Sequence, residues 1–141
     1  MSRTHMVQAA VLAIALGLAA PAGPACACTC LPPDPADQVD EADVIFVGRV
    51  ERVVRVGQAG GRPISATVFR VERSLKGDVG TWTAVRHQSG DSSLCGMQFD
   101  RDREHVVFAR RAEGRLYAQA CSRDWLPLGR YEAELIKLQA R

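Results

Sequence analysis

The residues with chemistry to offer begin at Cys28-Thr29-Cys30, directly behind Ala25-Cys26-Ala27. Small residues at Ala25 and Ala27 form the A-x-A pattern that signal peptidases cut. Cleavage after Ala27 makes Cys28 the first residue of the mature chain, with a free α-amino group and a thiol available for a disulfide. Upstream, Arg3 supplies a positive n-region and Val7 to Ala20 an apolar h-region. That run is short for a spanning helix and lacks a stop-transfer flank. The expectation is a signal peptide over 1–27, a domain over 28–141 and a secreted or periplasmic location, with no membrane attachment after cleavage. Two alternatives stay open, an uncleaved anchor and a lipidated Cys26, although Gly23-Pro24-Ala25 lacks the leucine usual in a lipobox.

Removing residues 1–27 also discards Cys26 and leaves Cys28, Cys30, Cys95 and Cys121. An even set in an exported chain implies two disulfides. Cys28 and Cys30 are too close to bridge in an extended segment, where alternate side chains diverge. Each must therefore reach Cys95 or Cys121. Either pairing closes a long loop, for which the chain-entropy model assigns about 4–5 kcal/mol per bridge. A Cys26/Cys28/Cys30 metal cluster finds no spaced partner set, and no metal site of the protein's own is expected. His87 and His105, the histidines of the mature chain, read as strand-end residues, surface or partly buried. There is no nucleophile elbow, HExxH or phosphate loop, and neither histidine has the context of a catalytic set. The protein is not expected to be an enzyme, and no cofactor is implied.

Several elements must position the cysteines. Pro32, Pro33 and Pro35 keep the chain extended after Cys30. Asp34 caps a short helix with Pro35 at its first position, running to about Ala42. Val44 to Val56 reads as a long first strand, with Gly48 marking a bulge, and Gly57 to Pro63 as the loop of the first hairpin. Thr67 to Glu72 alternates, placing Thr67, Phe69 and Val71 on one face. Lys76-Gly77-Asp78 ends that strand. Trp82 to His87 makes a third, and a polar loop from Gln88 to Ser93 leads to Cys95. His105 to Ala109 and Leu116 to Cys121 form the fourth and fifth, joined at Glu113-Gly114. After Pro127, Tyr131, Leu135 and Leu138 recur as one stripe of a helix that must dock. Five strands flanked by two helices fit an all-β, five-stranded Greek-key barrel of the OB type; a β-sandwich is the alternative, though it usually needs about seven strands.

These residues resemble the N-terminal domain of the tissue inhibitors of metalloproteinases, the netrin-like OB fold. The likeness is carried by the Cys28-x-Cys30 start, Ala42-Asp43-Val44 before the first strand and the Lys76-Gly77 turn. Ser92-Ser93-Leu94-Cys95-Gly96 and the Leu116 to Cys121 segment complete it. It spans Cys28 to about Trp125. The resemblance implies pairings Cys28–Cys95 and Cys30–Cys121. It also implies a mechanism: the α-amine and carbonyl oxygen of Cys28 chelate the catalytic zinc of a target protease in a five-membered ring. An α-amine titrates near 7.7–8, so its proton can leave when zinc binds near neutral pH, and the pair displaces the water of an open zinc position. Thr29 then enters the specificity pocket. Cys30 together with Ser92, Ser93 and Leu94, held beside Cys28 by the bridge to Cys95, completes the inhibitory ridge.

The chain departs from the family in three ways. The first partner of a third disulfide falls at Asp40, no cysteine-rich second domain follows, and the first hairpin is short. A minimal single-domain relative is implied, acting as a monomer on a zinc metalloprotease. The second functional reading is an exported, non-catalytic adaptor module whose disulfides only stabilise. After cleavage 17 Lys and Arg face 16 Asp and Glu, which gives no support to nucleic-acid binding. Trp82, Trp125, Phe46, Phe69, Phe99 and Phe108 read as core.

Overall fold

In the computed structural model, residues 30–90 and 95–141 are described. The elements are α1 (Pro35–Glu41), β1 (Val44–Ala59), β2 (Arg62–Lys76), β3 (Trp82–Gln88), β4 (Glu104–Ala112), β5 (Arg115–Tyr117) and α2 (Leu128–Gln139). The strands close into a barrel in the order β1-β2-β3-β5-β4, with β4 returning to β1. All pairs are antiparallel except β3 with β5. This is the five-stranded barrel with two flanking helices that the element count implies.

β1 is the strand on which both cores depend. Val44, Ile45, Phe46 and Val47 are all buried, because each face of this stretch meets protein. Val44 and Phe46 point into the barrel with Phe69, Val85, Met97, Val107, Ala109 and Leu116. Ile45 points the other way, joining Val106 and Phe108 of β4 under the helices. There the α2 stripe docks: Tyr131 and Leu135 are buried beside Val39 and Ala42, and the Tyr131 ring meets Phe108 edge-on at 4.8 Å. Helix α1 is capped as its sequence implies, with Asp34 Oδ1 accepting from Ala36 N at 2.8 Å. Lys76 closes its other end, donating through Nζ to the carbonyls of Val39 and Asp40 at 2.8 and 3.1 Å. A cation there satisfies orphan carbonyls and complements the helix dipole.

Four expectations need correction. Gly57 to Pro63 is not a loop: β1 and β2 pair as far as Ala59 and Arg62, and only Gly60 and Gly61, at φ +57° and +75°, turn. Two residues of positive φ are what a tight hairpin demands; Gly57, Gln58 and Ala59 hide the strand because their types carry little β signal. The fifth strand does not reach Cys121 but ends at Tyr117. The amide of Ala118 still donates to Arg86 O at 2.9 Å before the chain leaves the sheet. Trp82 is not core; it lies on the outward face of β3, 56% exposed. His87 and His105 are both deeply buried. The bulge does occur, as a register shift between Val47 and Gly48.

Candidate functional site

Of the residues expected to do chemistry, Cys28, Thr29, Ser92, Ser93 and Leu94 lie outside the described residues, as does the cleavage site at Ala27. The described part is the frame on which that ridge would stand. Cys30, the first described residue, is bonded to Cys121 with 5.3 Å between Cα atoms. Cys95 is also disulfide-bonded. The bridge ties Cys30 to the segment that follows β5.

That segment is braced from several sides. Trp125 Nε1 donates to the carbonyl of Cys121 at 2.9 Å. Gln38 Nε2, from α1, donates to the carbonyl of Arg123 at 2.8 Å. The amides of Trp125 and Leu126 both donate to the Tyr131 hydroxyl, at 3.0 and 3.1 Å, so one buried tyrosine of α2 holds the irregular stretch between Cys121 and the helix. The Arg123 guanidinium lies over the Trp125 ring, 5.2 Å from its centre.

A partly buried aromatic and ionic cluster locks the same segment to the strand ends. Phe99 sits at the centre, edge-on to Phe69 at 4.9 Å, His87 at 5.2 Å and His105 at 5.3 Å. His105 Nε2 donates to the carbonyl of Asp100 at 2.8 Å, and its Nδ1 lies 3.8 Å from Asp124 Oδ2. Arg103 grips Asp124 in a two-point fork, at 2.8 and 3.1 Å. Burial alone would raise the Asp124 pKa, but the Arg103 fork and the adjacent His105 outweigh it and hold the carboxyl down at about 2. His87 Nε2 and the Thr67 hydroxyl are 2.7 Å apart inside the barrel. Burial lowers the His87 pKa below the usual histidine value. Both histidines are thus bound up in the packing of the barrel end, and their burial explains why strand-end position misled the sequence reading.

The second half of the frame is the neck of the segment containing Ser92, Ser93 and Leu94. Gly90 and Gly96 pass so close that a Cβ on Gly96 would lie 2.4 Å from the Gly90 carbonyl carbon and oxygen. No side chain fits there. Just beyond, Met97 N donates to Gln88 O at 2.8 Å and Ser89 N to Pro63 O at 2.9 Å, and Met97 is buried. The segment therefore starts and ends at one pinched, hydrogen-bonded point, a feature the Cys95-Gly96 dipeptide signals only once Gly90 is seen opposite.

Asp43 has an equally definite task. Its amide donates to Ala109 O, and its carboxylate accepts from Arg111 N at 2.7 Å. Asp40 is exposed on α1. Beside Cys121 a cleft of about 140 Å³ opens between α1, β4 and β5, smaller than the about 300 Å³ at which ligand pockets begin. Among the described residues no three His, Cys, Asp or Glu side chains converge as a metal site, and no helix is long and apolar enough to cross a membrane.

The family model described as tissue inhibitor of metalloproteinase matches residues 26–130. The chain belongs to that family. No curated protein matches the sequence. Tissue inhibitors of metalloproteinases are inhibitors and not enzymes; their partners are metalloproteinases, and the barrel described above is their netrin-like domain. The matched stretch begins before Cys28 and ends inside α2, so it takes in both halves of the frame.

Proposed function

We propose that this protein is exported, cut after Ala27, and inhibits a zinc metalloprotease through the new N-terminus. The α-amine and carbonyl oxygen of Cys28 chelate the target's zinc, Thr29 occupies the pocket beside it, and Cys30, Ser92, Ser93 and Leu94 extend the contact. Cys28 is assigned as the partner of Cys95. The observation that carries this reading is the Cys30–Cys121 bridge in a chain of this family. It immobilises the backbone two residues from the proposed chelating amine. A wedge held in its bound shape loses little conformational entropy on docking, so rigidity converts directly into affinity. The Gly90–Gly96 neck supports the same reading for the ridge's second half, since it fixes where that segment leaves the barrel.

The experiment acts on the amine. Intact mass and N-terminal sequencing of the exported protein are expected to give Cys28 with an unmodified amine and two disulfides. Acetylating that amine, or placing one alanine before Cys28, is expected to abolish inhibition of a zinc metalloprotease while leaving the thermal unfolding midpoint unchanged. Thr29→Gly is expected to change the ranking of target proteases. Inhibition that survives acetylation would overturn the chelation mechanism and favour a binding module that never engages zinc.

A further inference from the structure

Past the closed part of the barrel, β1 runs on as an edge. Its pairing with β4 ends at Arg49, opposite Glu104, whereas its pairing with β2 continues to Ala59. From Val50 to Ala59 the other edge of β1 therefore meets no strand among the described residues. Glu51 to Ala59 are all exposed, with Val53, Val54 and Val56 at 42, 45 and 40%. The β2 residues opposite behave differently: Ser65, Ala66 and Thr67 are buried. This half of β1 shelters its neighbour and is sheltered on neither face. An open edge of this kind presents a row of backbone N–H and C=O groups to any arriving strand, and valine is a residue type that strands favour.

The usable length is bounded at both ends. A strand arriving on this edge is stopped at Arg49, where β4 begins to pair. At the far end the ladder with β2 skips Val56, between Arg55 and Gly57, and such a bulge bends the strand out of line. What remains is Val50 to Val56, six steps of about 3.4 Å or about 20 Å in all. Its sequence is Val-Glu-Arg-Val-Val-Arg-Val. Val53 stands at the centre, with Glu51 two residues before it and Arg55 two residues after. The ladder also skips Glu51, between Val50 and Arg52, which leaves that residue without a partner on β2. Among the described residues neither Glu51 nor Arg55 makes an ion pair.

We propose that this edge joins a second copy of the chain, β1 against β1 and antiparallel, about a two-fold axis at Val53. In such a dimer the residue on the axis faces its own copy, and each residue before it faces one equally far behind. With Val53 on the axis, Glu51 of each copy faces Arg55 of the other, Val50 faces Val56 and Arg52 faces Val54. Both Glu51–Arg55 contacts are then attractive, the arrangement that stabilises directly opposed strand residues. Other symmetric registers lose this. Glu51, Arg52 or Arg55 on the axis opposes like charges. Val54 on the axis sets Arg55 against Val53 and Glu51 against Gly57. Val50 on the axis drives the pairing into β4, and Val56 carries it past the bulge. The seven residues are thus complementary to themselves, which names the occupant. A pair formed this way uses up the edge on both copies, so association stops at two. The monomer expected above gives way to this dimer because the open edge exists only where β4 stops short of it.

The test is sedimentation velocity on the full exported chain with its disulfides intact, over a concentration series reaching about 500 μM. A join of this length belongs to the small, weak class of interfaces, so a monomer–dimer equilibrium with a Kd on the order of 10–100 μM is expected. Glu51→Arg and Arg55→Glu each turn two attractive contacts into two repulsive ones, and each is expected to raise Kd about tenfold or more. Mixed in equal amounts, the two variants are expected to restore the dimer as a heterodimer, because every contact between positions 51 and 55 is again oppositely charged. Both side chains are exposed, so far-UV circular dichroism should show both variants folded. A second measurement needs no variant: hydrogen exchange at the Val50 to Val56 amides of the wild type should slow as concentration rises. A protein that stays monomeric at about 500 μM, with exchange there independent of concentration, would overturn the proposal and leave the edge to a foreign strand. So would single variants that dimerise like the wild type, or a mixture no more associated than its components.

Discussion

Asp124→Asn is the sharpest test of how the Cys121 segment is held. The side chain keeps its shape and loses its charge, so the change isolates the ionic clamp from packing. Asp124 is held at about 2 against a reference of 3.8. At 1.36 kcal/mol per pKa unit that depression is worth about 2 kcal/mol of folding stability near neutral pH. Its side chain is only 11% exposed, so solvent screens it little, although the Arg103 end of the fork is half in water and salt should trim the value. The sign follows from the direction of the shift. A carboxyl with a lowered folded pKa stabilises above its unfolded pKa, and that contribution is withdrawn as pH falls from about 4 through about 2. Urea unfolding of wild type and variant, disulfides intact, is therefore expected to give a gap of about 2 kcal/mol at pH 7 that closes towards pH 2. A gap below about 0.5 kcal/mol at pH 7, the size of an ordinary surface change, would refute the reasoning. So would a gap that does not respond to acid.

Removing the bridge by Cys30→Ser with Cys121→Ser opens a loop with a sequence separation of 91, and non-reducing urea melts should show a loss of about 4–5 kcal/mol. Less than about 1 kcal/mol would mean that the barrel ends are held without it. Thr67→Val leaves the ring nitrogen of buried His87 without its 2.7 Å partner and should cost about 1–3 kcal/mol, read as a shift in the unfolding midpoint at unchanged m-value. Because burial lowers the folded pKa of His87, the unfolded chain takes up its proton first. This group's contribution should therefore weaken stability as pH drops below about 6.5, visible as a pH-dependent midpoint that His87→Phe flattens.

The barrel was legible because its signals are local. Alternation in Thr67, Phe69 and Val71, the Tyr131-Leu135-Leu138 stripe and the Asp34-Pro35 cap each report on a few neighbouring residues, and each survives folding because tertiary contacts reinforce it. Gly57 to Ala59 failed for the opposite reason: their strand state comes from pairing with Arg62, Pro63 and Ile64, not from their own propensity. Trp82 failed because period-2 alternation assigns two faces without saying which is inside. Thr83 and Val85 turned inward, and that put tryptophan in water.

The frame of the site was legible only in part, since cysteine spacing left two pairings open and gave no hint of the Asp124 clamp. Arg103 and Asp124 are 21 residues apart, and nothing in the sequence marks them as partners.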